Sequence, residues 1–356
     1  MRPVMKMVAL AATSALALTA CGGSSGDAQS GGSASGSASG SASASADSAK
    51  ALKVGMAFDV GGRGDGTFND LAVKGLEKAK TDMGADIKEL SPKEDGSDRA
   101  DLLRQLADDG YNPIVGVGFS YGQPMDTVAK EYPDVSFIRI DGDPSTVPNV
   151  AVQDFAEHEG SFLVGAAAAL KSKSNHIGFI GGNESALITK FWAGYEQGAK
   201  AVNPSIKIDD KRLAAGDSGA GFGNIDGAKV AAQAMYQNGA DVIYTAAGGS
   251  FNGSFPAAVD AKKWAIGVDS DQYNTVGNPA FKPRILTSMV KQVDAAVYGS
   301  IKEFKDTGKA SKKSFALKDG GVGYSTSGGF VNDIKPKLEE YKKKIEDGSQ
   351  KVSPTP

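Results

Sequence analysis

Short apolar runs alternate with longer segments of helical spacing from Leu52 onward, and this alternation is the dominant pattern of the chain. The helical segments carry apolar residues three or four positions apart, whereas the runs between them are short and rich in Val, Ile and Phe. In the first half, the pattern predicts four strands and three helices: KVGMAF, ADIKEL, PIVGVGF and VSFIRID, with helices near 69–84, 97–109 and 123–131. Repeated βα units imply a parallel sheet with helices on both faces.

A second α/β series begins after NVAVQDF with a long helix near 157–171. Strands and helices then alternate again: HIGFIGG, 186–202, IKIDDKRL, 225–238, DVIYTAA, 252–262 and WAIGVD. Two such series predict two α/β lobes with a ligand between them, since pockets favour domain interfaces. We expect RILTSMV and the helix after it to return to the first lobe, forming a multi-strand hinge. The predicted lobes are 51–155 with about 285–310, and 156–284 with about 311–345, followed by a flexible tail at 346–356.

Composition narrows the class of function. The 356 residues are 40% hydrophobic and 23% charged, which suits a globular protein of about two domains. The net charge of -3 and the pI near 5.6 argue against a nucleic-acid partner, which would favour a basic surface. The two histidines, His158 and His176, lie beside no nucleophile-elbow motif, and the sequence has no metal-ligand spacing, so we expect neither catalysis nor a cofactor.

The stretch AFDVGGRGDGTFND, from Ala57 to Asp70, joins the first strand to the first helix through a glycine-rich turn. Its glycines do not form GxGxxG, and no Gly-Lys-Ser/Thr follows to make a P-loop. A plain flexible turn is one interpretation, because such turns need glycine for positive φ alone. Ligands of open parallel sheets sit at the carboxyl ends of the strands, which places Asp59, Phe68 and Asn69 at a rim suited to a small molecule.

Several ordered blocks, beginning with AFDVGGRGDGTFND, resemble one known family. The other blocks are EHEGSFLVGAAAAL, IGFIGG, FWAGYEQGAKAVNP, GADVIYTAAGG, AIGVDSDQ and TSMVKQVDAAVY. Together they resemble the basic membrane protein (BMP) family, the purine nucleoside receptor-like solute-binding lipoproteins of bacterial ABC importers. The resemblance implies a type I periplasmic-binding-protein fold, in which two doubly wound lobes enclose the ligand in the cleft between them.

The first fifty residues are typical of an exported lipoprotein. Residues 1–20 read as a signal peptide, with Arg2 and Lys6 before an apolar run that is too short to span a bilayer. Cys21 follows Leu-Thr-Ala in a sequence that looks like a lipobox, and the resemblance implies cleavage before Cys21 and lipid attachment to its sulfur. Residues 22–50 are almost entirely Gly, Ser and Ala, so we expect a disordered tether.

The polar residues at predicted strand ends suggest how a nucleoside would be held. A carboxylate accepts two hydrogen bonds side by side, which matches the vicinal hydroxyls of a ribose, and Asp269 in GVDSDQ is the choice for this role. Lys291 could donate to the same sugar oxygens, or it could be a surface lysine paired with Asp294. Asn69 and Asp59 could bind the polar edge of the base.

The family pattern implies further contacts. It places Phe68 on one side of a flat heterocycle and Tyr244 at the second aromatic position, although a core tyrosine is a rival interpretation. Gly249 allows close backbone approach, and Asp141 looks like another family contact. Three other aromatic residues are fallback candidates: Phe251, Phe191 and Trp192.

These features predict a monomeric receptor, lipid-anchored on the extracytoplasmic face of the cell membrane, that delivers a nucleoside to an ABC permease. A purine nucleoside is the preferred ligand. The alternatives are a protein that binds a sugar or another polar metabolite, a sensor for a membrane kinase, and a nucleoside hydrolase. The hydrolase is disfavoured because no activated base or metal cluster is visible in the sequence.

Overall fold

Twelve strands form two six-stranded sheets in the computed structural model, which describes residues 51–356. The predicted signal peptide, Cys21 and the linker to residue 50 lie outside that range. The strands are β1 Lys53–Ala57, β2 Asp86–Leu90, β3 Ile114–Val117, β4 Phe137–Ile140, β5 Val150–Phe155, β6 His176–Gly181, β7 Lys207–Arg212, β8 Val242–Ala246, β9 Trp264–Asp269, β10 Ile285–Lys291, β11 Lys313–Phe315 and β12 Val322–Tyr324. The helices are α1 Phe68–Met83, α2 Arg99–Asp108, α3 Gly122–Glu131, α4 Glu157–Lys171, α5 Ala186–Val202, α6 Ile225–Gln237, α7 Phe251–Ala261, α8 Gln272–Thr275, α9 Val293–Thr307 and α10 Lys335–Glu346.

The two sheets are wound in the same way. The first has the strand order β11-β5-β4-β3-β1-β2, and the second has the order β12-β10-β9-β8-β6-β7. Pairing is parallel throughout the first sheet, and in the second only β12 runs antiparallel, beside β10. We call the first sheet and its helices the first lobe, and the second sheet and its helices the second lobe. The predicted α/β architecture of two doubly wound lobes is confirmed.

The first βα unit shows how the sequence produces these elements. Helix α1 buries Ala72, Leu76 and Ala79, which lie three or four residues apart on one face, against the first sheet. Gly84 ends the helix in the left-handed conformation, with φ 68°, and its amide donates to the carbonyl of Lys80. The glycine-rich turn before Phe68 thus lies at the carboxyl end of β1.

The boundary between the lobes differs from the prediction at residues 285–315. Strand β10 belongs to the second sheet, where it pairs with β9, and not to the first lobe. Helix α9 does pack on α1 of the first lobe, and the short strand β11 joins β5 in the first sheet. The error arises because an apolar strand buried on both faces carries no signal of which sheet it joins. The chain therefore crosses between lobes after β5, after β10 and between β11 and β12.

The carboxyl-terminal tail is held against the second lobe, in contrast to the flexible tail predicted for 346–356. The side chain of Gln197 on α5 exchanges two hydrogen bonds of 2.9 Å with the backbone of Ser353, and Val352 packs against the core. No helix within residues 51–356 has the length and apolar character needed to cross a bilayer.

Candidate functional site

A cavity with an empty volume, including its mouth, of about 540 Å³ lies where the carboxyl ends of the two sheets face each other. We call this space the main cavity. It is lined by Asp59, Val60, Asp65, Phe68, Asn69, Gly118, Phe119, Asp141, Leu187, Ile188, Phe191, Phe222, Ala246, Gly248, Gly249, Val268, Asp269 and Lys291. The cavity therefore brings together seven of the sequence-predicted positions: Asp59, Phe68, Asn69, Asp141, Gly249, Asp269 and Lys291.

Lys291, the last residue of β10, is the centre of a buried charge cluster. Its Nζ donates to Asp141 Oδ2 at 2.6 Å and to Glu157 Oε1 at 3.1 Å, and all three side chains are almost fully buried. The alternative pairing with Asp294 is wrong, since Asp294 lies on α9 and pairs with Lys74. Glu157 was missed because its role depends on the packing of the α4 start against β10.

Three aromatic rings surround the Lys291 ammonium. The centroids of Phe155, Phe68 and Phe191 lie 4.8, 5.2 and 5.6 Å from Nζ. Burial by itself would lower the pKa of this lysine, but the nearby carboxylates of Asp141 and Glu157 outweigh burial and raise it. Lys291 is therefore a fixed cation that joins the end of β10 to both lobes.

Two aspartates with the same backbone conformation face the main cavity. Asp141 follows β4 with φ 72°, and Asp269 ends β9 with φ 61°, a region that non-glycine residues rarely occupy. Each has a buried Oδ1 with no hydrogen-bond partner among residues 51–356. A buried acceptor without a donor is costly, so a ligand that brings hydroxyl donors would satisfy both atoms.

Burial controls the protonation of these acids. Burial raises the pKa of Asp269 to about 6, although the ammonium of Lys291 opposes the rise. Burial also raises the pKa of Asp141, again against the attraction of Lys291. The two carboxyl groups therefore bind protons more readily than exposed aspartates.

Asp59 and Asn69 lie in a hydrogen-bonded group at the end of β1. The side-chain oxygen of Asn69 accepts from the Asp59 amide at 3.1 Å, and its Nδ2 donates to Asp65 Oδ2 at 3.1 Å. Asp59 Oδ1 accepts from Arg99 Nη2 and from the Val60 amide, each at 2.8 Å. Burial raises the pKa of Asp59, and Arg99 opposes that effect. Arg99 comes from the start of α2, and no sequence signal linked it to Asp59.

Tyr244 does not line the main cavity, which corrects its predicted role. It lies within β8, two residues before the strand end, and is fully buried. Its ring packs against Tyr195 and Phe179, with centroids 5.3 and 5.5 Å away, and its hydroxyl is 3.5 Å from Ser161 Oγ. The rival interpretation as a core tyrosine is the one that the structure bears out. Of the fallback aromatic residues Phe251, Phe191 and Trp192, Phe191 lines the cavity.

Phe222 supplies an aromatic wall that the sequence analysis missed. It lies in residues 213–224, the β7–α6 loop, and its ring meets Phe119 edge-on at 6.2 Å. Asn183 donates to the Ser218 carbonyl at 3.1 Å, and Ser250 donates to the Gly221 carbonyl at 2.8 Å, so the loop is fixed to the second lobe. The sequence carries a signal for Phe222. GDSGAGFGN places an aromatic residue in a glycine-rich loop after a strand, as GGRGDGTF does for Phe68.

The arrangement is suited to binding rather than to holding a metal ion. Within residues 51–356, no group of three or more His, Cys, Asp or Glu side chains is placed to coordinate one. The main cavity instead combines carboxylates and a lysine with phenylalanine rings from both lobes, and the rings of Phe68 and Phe191 lie 5.2 and 5.6 Å from the Lys291 ammonium. Such a site can accept hydrogen bonds from a polyol while covering a flat apolar group.

Comparison with known proteins identifies the family. A family model described as "ABC transporter substrate-binding protein PnrA-like" matches residues 52–354. The CD4+ T-cell-stimulating antigen of Listeria innocua is 35% identical over 361 residues, covering 96% of each chain. The ABC transporter nucleoside-binding protein BmpA of Lactococcus lactis is 32% identical, covering 83% of this chain and 88% of that protein.

A solved structure supports the same assignment. The ABC transporter system solute-binding protein from Aeropyrum pernix K1 superposes with a TM-score of 0.74 and 27% identity, covering 86% of this chain and 94% of that chain. The predicted type I periplasmic-binding-protein fold is thus confirmed. The chain belongs to the Bmp family of PnrA-like ABC transporter substrate-binding proteins.

Proposed function

We propose that this protein binds a purine nucleoside between its lobes and delivers it, chemically unchanged, to an ABC permease. We further propose that it is a monomer, lipid-anchored through Cys21 on the extracytoplasmic face of the membrane, with no nucleic-acid partner. The relative from Lactococcus lactis is named as nucleoside-binding, and relatives from three Pyrococcus species are named as lipoproteins. These names support the proposal.

The observation that carries the proposal is the pair of unpartnered carboxylate oxygens in the main cavity. Asp141 Oδ1 and Asp269 Oδ1 lack donors among the described residues, and Lys291 is bonded to Asp141 Oδ2 and to Glu157. A ribose offers hydroxyl groups that can donate to both carboxylates and accept from a lysine. Charge-assisted hydrogen bonds of this kind are about twice as strong as neutral ones.

The aromatic rings favour a nucleoside over a simple sugar. Phe68 comes from the first lobe, whereas Phe191 and Phe222 come from the second, so closure of the lobes brings the rings onto opposite parts of one ligand. Asp59 and Asn69 add polar groups beside Phe68, where a base could present its N–H edge. A hexose would use the carboxylates but would leave much of this aromatic surface unfilled.

Calorimetry with guanosine, inosine, adenosine, ribose and glucose tests the proposal. We expect the purine nucleosides to bind tightly and glucose to bind weakly. Because stacking on a base contributes about 1–3 kcal/mol, Phe68→Ala and Phe222→Ala should each weaken guanosine binding about fivefold or more. Tyr244→Phe is the matched control, since it keeps the core packing, and its affinity should stay within about twofold of the wild type. Tight glucose binding without heat from any nucleoside would refute the proposal.

A further inference from the structure

Asp59 and Asp141 stand at the same level of the first sheet, at the ends of β1 and β4 with β3 between them. The strand registers continue to Asp59, Gly118 and Asp141, and two strand spacings separate the two aspartate backbones by about 10 Å. A Cβ on Gly118 would lie 2.4 Å from Asp59 Oδ2, so this oxygen lies over the end of β3. A sugar ring held at Asp141 therefore leaves Asp59 to another part of the ligand.

The two oxygens of the Asp59 carboxylate have different surroundings. Oδ1 accepts from Arg99 Nη2 and from the Val60 amide, each at 2.8 Å. Oδ2 accepts no hydrogen bond within residues 51–356, and it is not sealed off from the main cavity, which Asp59 lines. An ionised Asp59 thus offers the ligand one oxygen that can only accept a hydrogen bond.

The neighbouring amide of Asn69 is engaged in holding the turn. Its Oδ1 accepts from the Asp59 amide, and its Nδ2 donates to Asp65 Oδ2, each at 3.1 Å. Asp65 in turn accepts from the amides of Thr67 and Asn69, each at 2.9 Å. The carboxylate of Asp65 is therefore satisfied by the protein, whereas Asp59 Oδ2 remains free for a ligand.

Arg99 controls the charge of Asp59 although it does not itself line the main cavity. Both side chains are about nine-tenths buried, and Arg99 forms no other ion pair within residues 51–356. Burial raises the pKa of Asp59, whereas the charge of Arg99 lowers it. Because arginine stays charged in proteins, a neutral Asp59 would leave a buried guanidinium without a counter-ion, which is strongly destabilising. The pair therefore keeps Asp59 as a carboxylate.

We propose that Arg99 is a positioning residue for base recognition: it occupies Asp59 Oδ1 and so presents Oδ2 as an acceptor that requires an N–H group on the base. The inference rests on the proposed nucleoside function and names the bases that suit it. Adenine and guanine offer exocyclic amino groups, and hypoxanthine offers the N–H of its ring. Purine riboside, whose base carries neither an amino nor an oxo group, has no N–H and leaves Oδ2 without a donor.

Calorimetry on the mature chain with adenosine, inosine and purine riboside tests this requirement, since all three share the ribose and the ring system. We expect the wild type to bind adenosine and inosine about tenfold or more tightly than purine riboside, because a hydrogen bond to a charged group is lost. Arg99→Gln removes the counter-ion of Asp59, which then takes up a proton, so the preference for adenosine should disappear. Arg99→Lys keeps a cation beside Oδ1 and should retain the preference.

A double variant, Asp59→Asn with Arg99→Gln, reverses the polarity of the atom that faces the cavity. The side-chain oxygen at residue 59 must still accept from the Val60 amide, so the Nδ2 group takes the place of Oδ2 and donates. This variant should bind purine riboside at least as tightly as adenosine, whose amino group now faces another donor. Asp260→Asn is the matched control: this exposed acid on α7 lies outside the main cavity, and the wild-type preference should persist.

Equal wild-type affinities for adenosine and purine riboside would overturn the N–H requirement but not the nucleoside function. An equal loss of both affinities in Arg99→Gln, with the preference unchanged, would give Arg99 a purely structural role and overturn the proposal, as would a preference for adenosine that persists in the double variant. Thermal melting verifies that each variant is folded. The double variant contains no unpaired charge at this pair, so it decides the question if Arg99→Gln alone does not fold. Failure of all three nucleosides to bind the wild type would refute both proposals.

Discussion

Asp141 and Asp269 occupy equivalent positions in the two lobes. The strand orders match β4 with β9, and each aspartate stands at the carboxyl end of its strand with a positive φ. Holding a non-glycine residue in this conformation costs about 1–3 kcal/mol, and burying an unpartnered carboxylate oxygen costs more. The same costly arrangement occurs twice around one cavity. We infer that each lobe contributes one carboxylate to the ligand.

The raised pKa of Asp269 predicts a pH dependence of nucleoside affinity. Burial raises this pKa to about 6 against the opposing charge of Lys291, while Asp65 and Glu157 raise it further. In the proposed binding mode Asp269 accepts two hydrogen bonds as a carboxylate, so binding competes with protonation of Asp269. Because burial raises the pKa of Asp141 as well, affinity should be highest at alkaline pH and should fall on acidification, most steeply below pH 6, where the loss approaches tenfold or more for each further pH unit.

Calorimetry from pH 5 to pH 8 measures this dependence, and buffers of different ionisation enthalpy report the proton released on binding below pH 6. Asp269→Asn keeps the shape of the side chain but cannot titrate. The variant should bind the nucleoside more weakly than the wild type, and the part of the fall in affinity at acidic pH that Asp269 causes should disappear. An affinity that stays level or rises on acidification would mean that Asp269 does not bind the ligand as a carboxylate.

At the scale of single residues, the strand-end acids and Phe68 were predictable, whereas Tyr244 was misplaced and Phe222 was missed. Parallel strands bring their carboxyl ends to one edge, which is why Asp59 and Asp269 could be placed at a common site from the sequence. Tyr244 and Phe222 show the limit. A tyrosine two residues inside a strand belongs to the core. The glycine-rich loop marks Phe222 as a rim residue, but its packing beside Gly182 and Phe119 depends on tertiary structure.

At the scale of elements, the sequence predicted where strands and helices form better than it predicted which elements pair or pack together. The apolar run of β10 was placed as a strand, but its pairing with β9 depends on where the chain crosses between lobes. The contact between α4 and α5 was also unpredictable, although its glycines were visible. A Cβ on Gly198 would lie 1.9 Å from the Phe162 carbonyl oxygen, and one on Gly194 would lie 2.1 Å from the His158 carbonyl oxygen.

This close helix contact predicts that Gly198→Ala destabilises the fold. Because the neighbouring atom is backbone, the helices must separate, and overpacking of this kind costs about 1–3 kcal/mol in the free energy of unfolding. Gly299→Ala on α9 is the control, since nothing lies within 4 Å of its Cβ position and alanine favours a helix by up to about 1 kcal/mol. Urea unfolding should show opposite signs for the two variants. Equal stability of Gly198→Ala and the wild type would contradict the contact.

At the scale of the whole molecule, direct hydrogen bonds join the lobes beside the main cavity. Thr67 Oγ1 donates to the Val268 carbonyl at 2.9 Å. The hydroxyls of Ser270 and Thr275 both donate to the Gly66 carbonyl, at 3.1 and 3.2 Å. The chain crosses between the lobes three times, and these crossings form a hinge. The hydrogen bonds link the two lobes across that hinge. They stabilise the arrangement in which the two halves of the cavity meet.

Removing the bonds to Gly66 should weaken ligand binding without altering the cavity. Neither Ser270 nor Thr275 lines it, so Ser270→Ala with Thr275→Val changes the population of the closed state rather than a ligand contact. Each hydrogen bond contributes about 0.5–1.5 kcal/mol, so the two together contribute about 1–3 kcal/mol. Apparent affinity falls with the closed fraction, so a loss of about fivefold to a hundredfold is expected.

Stopped-flow dissociation and small-angle scattering test this shift together. The double variant should release a nucleoside faster, and its radius of gyration without ligand should exceed that of the wild type, while saturating ligand should bring the two values together. Thr307→Val is the control, because its hydroxyl bonds within the end of α9 and joins no second lobe. If affinity falls while scattering without ligand stays unchanged, the two hydroxyls act on the ligand site itself and not on closure.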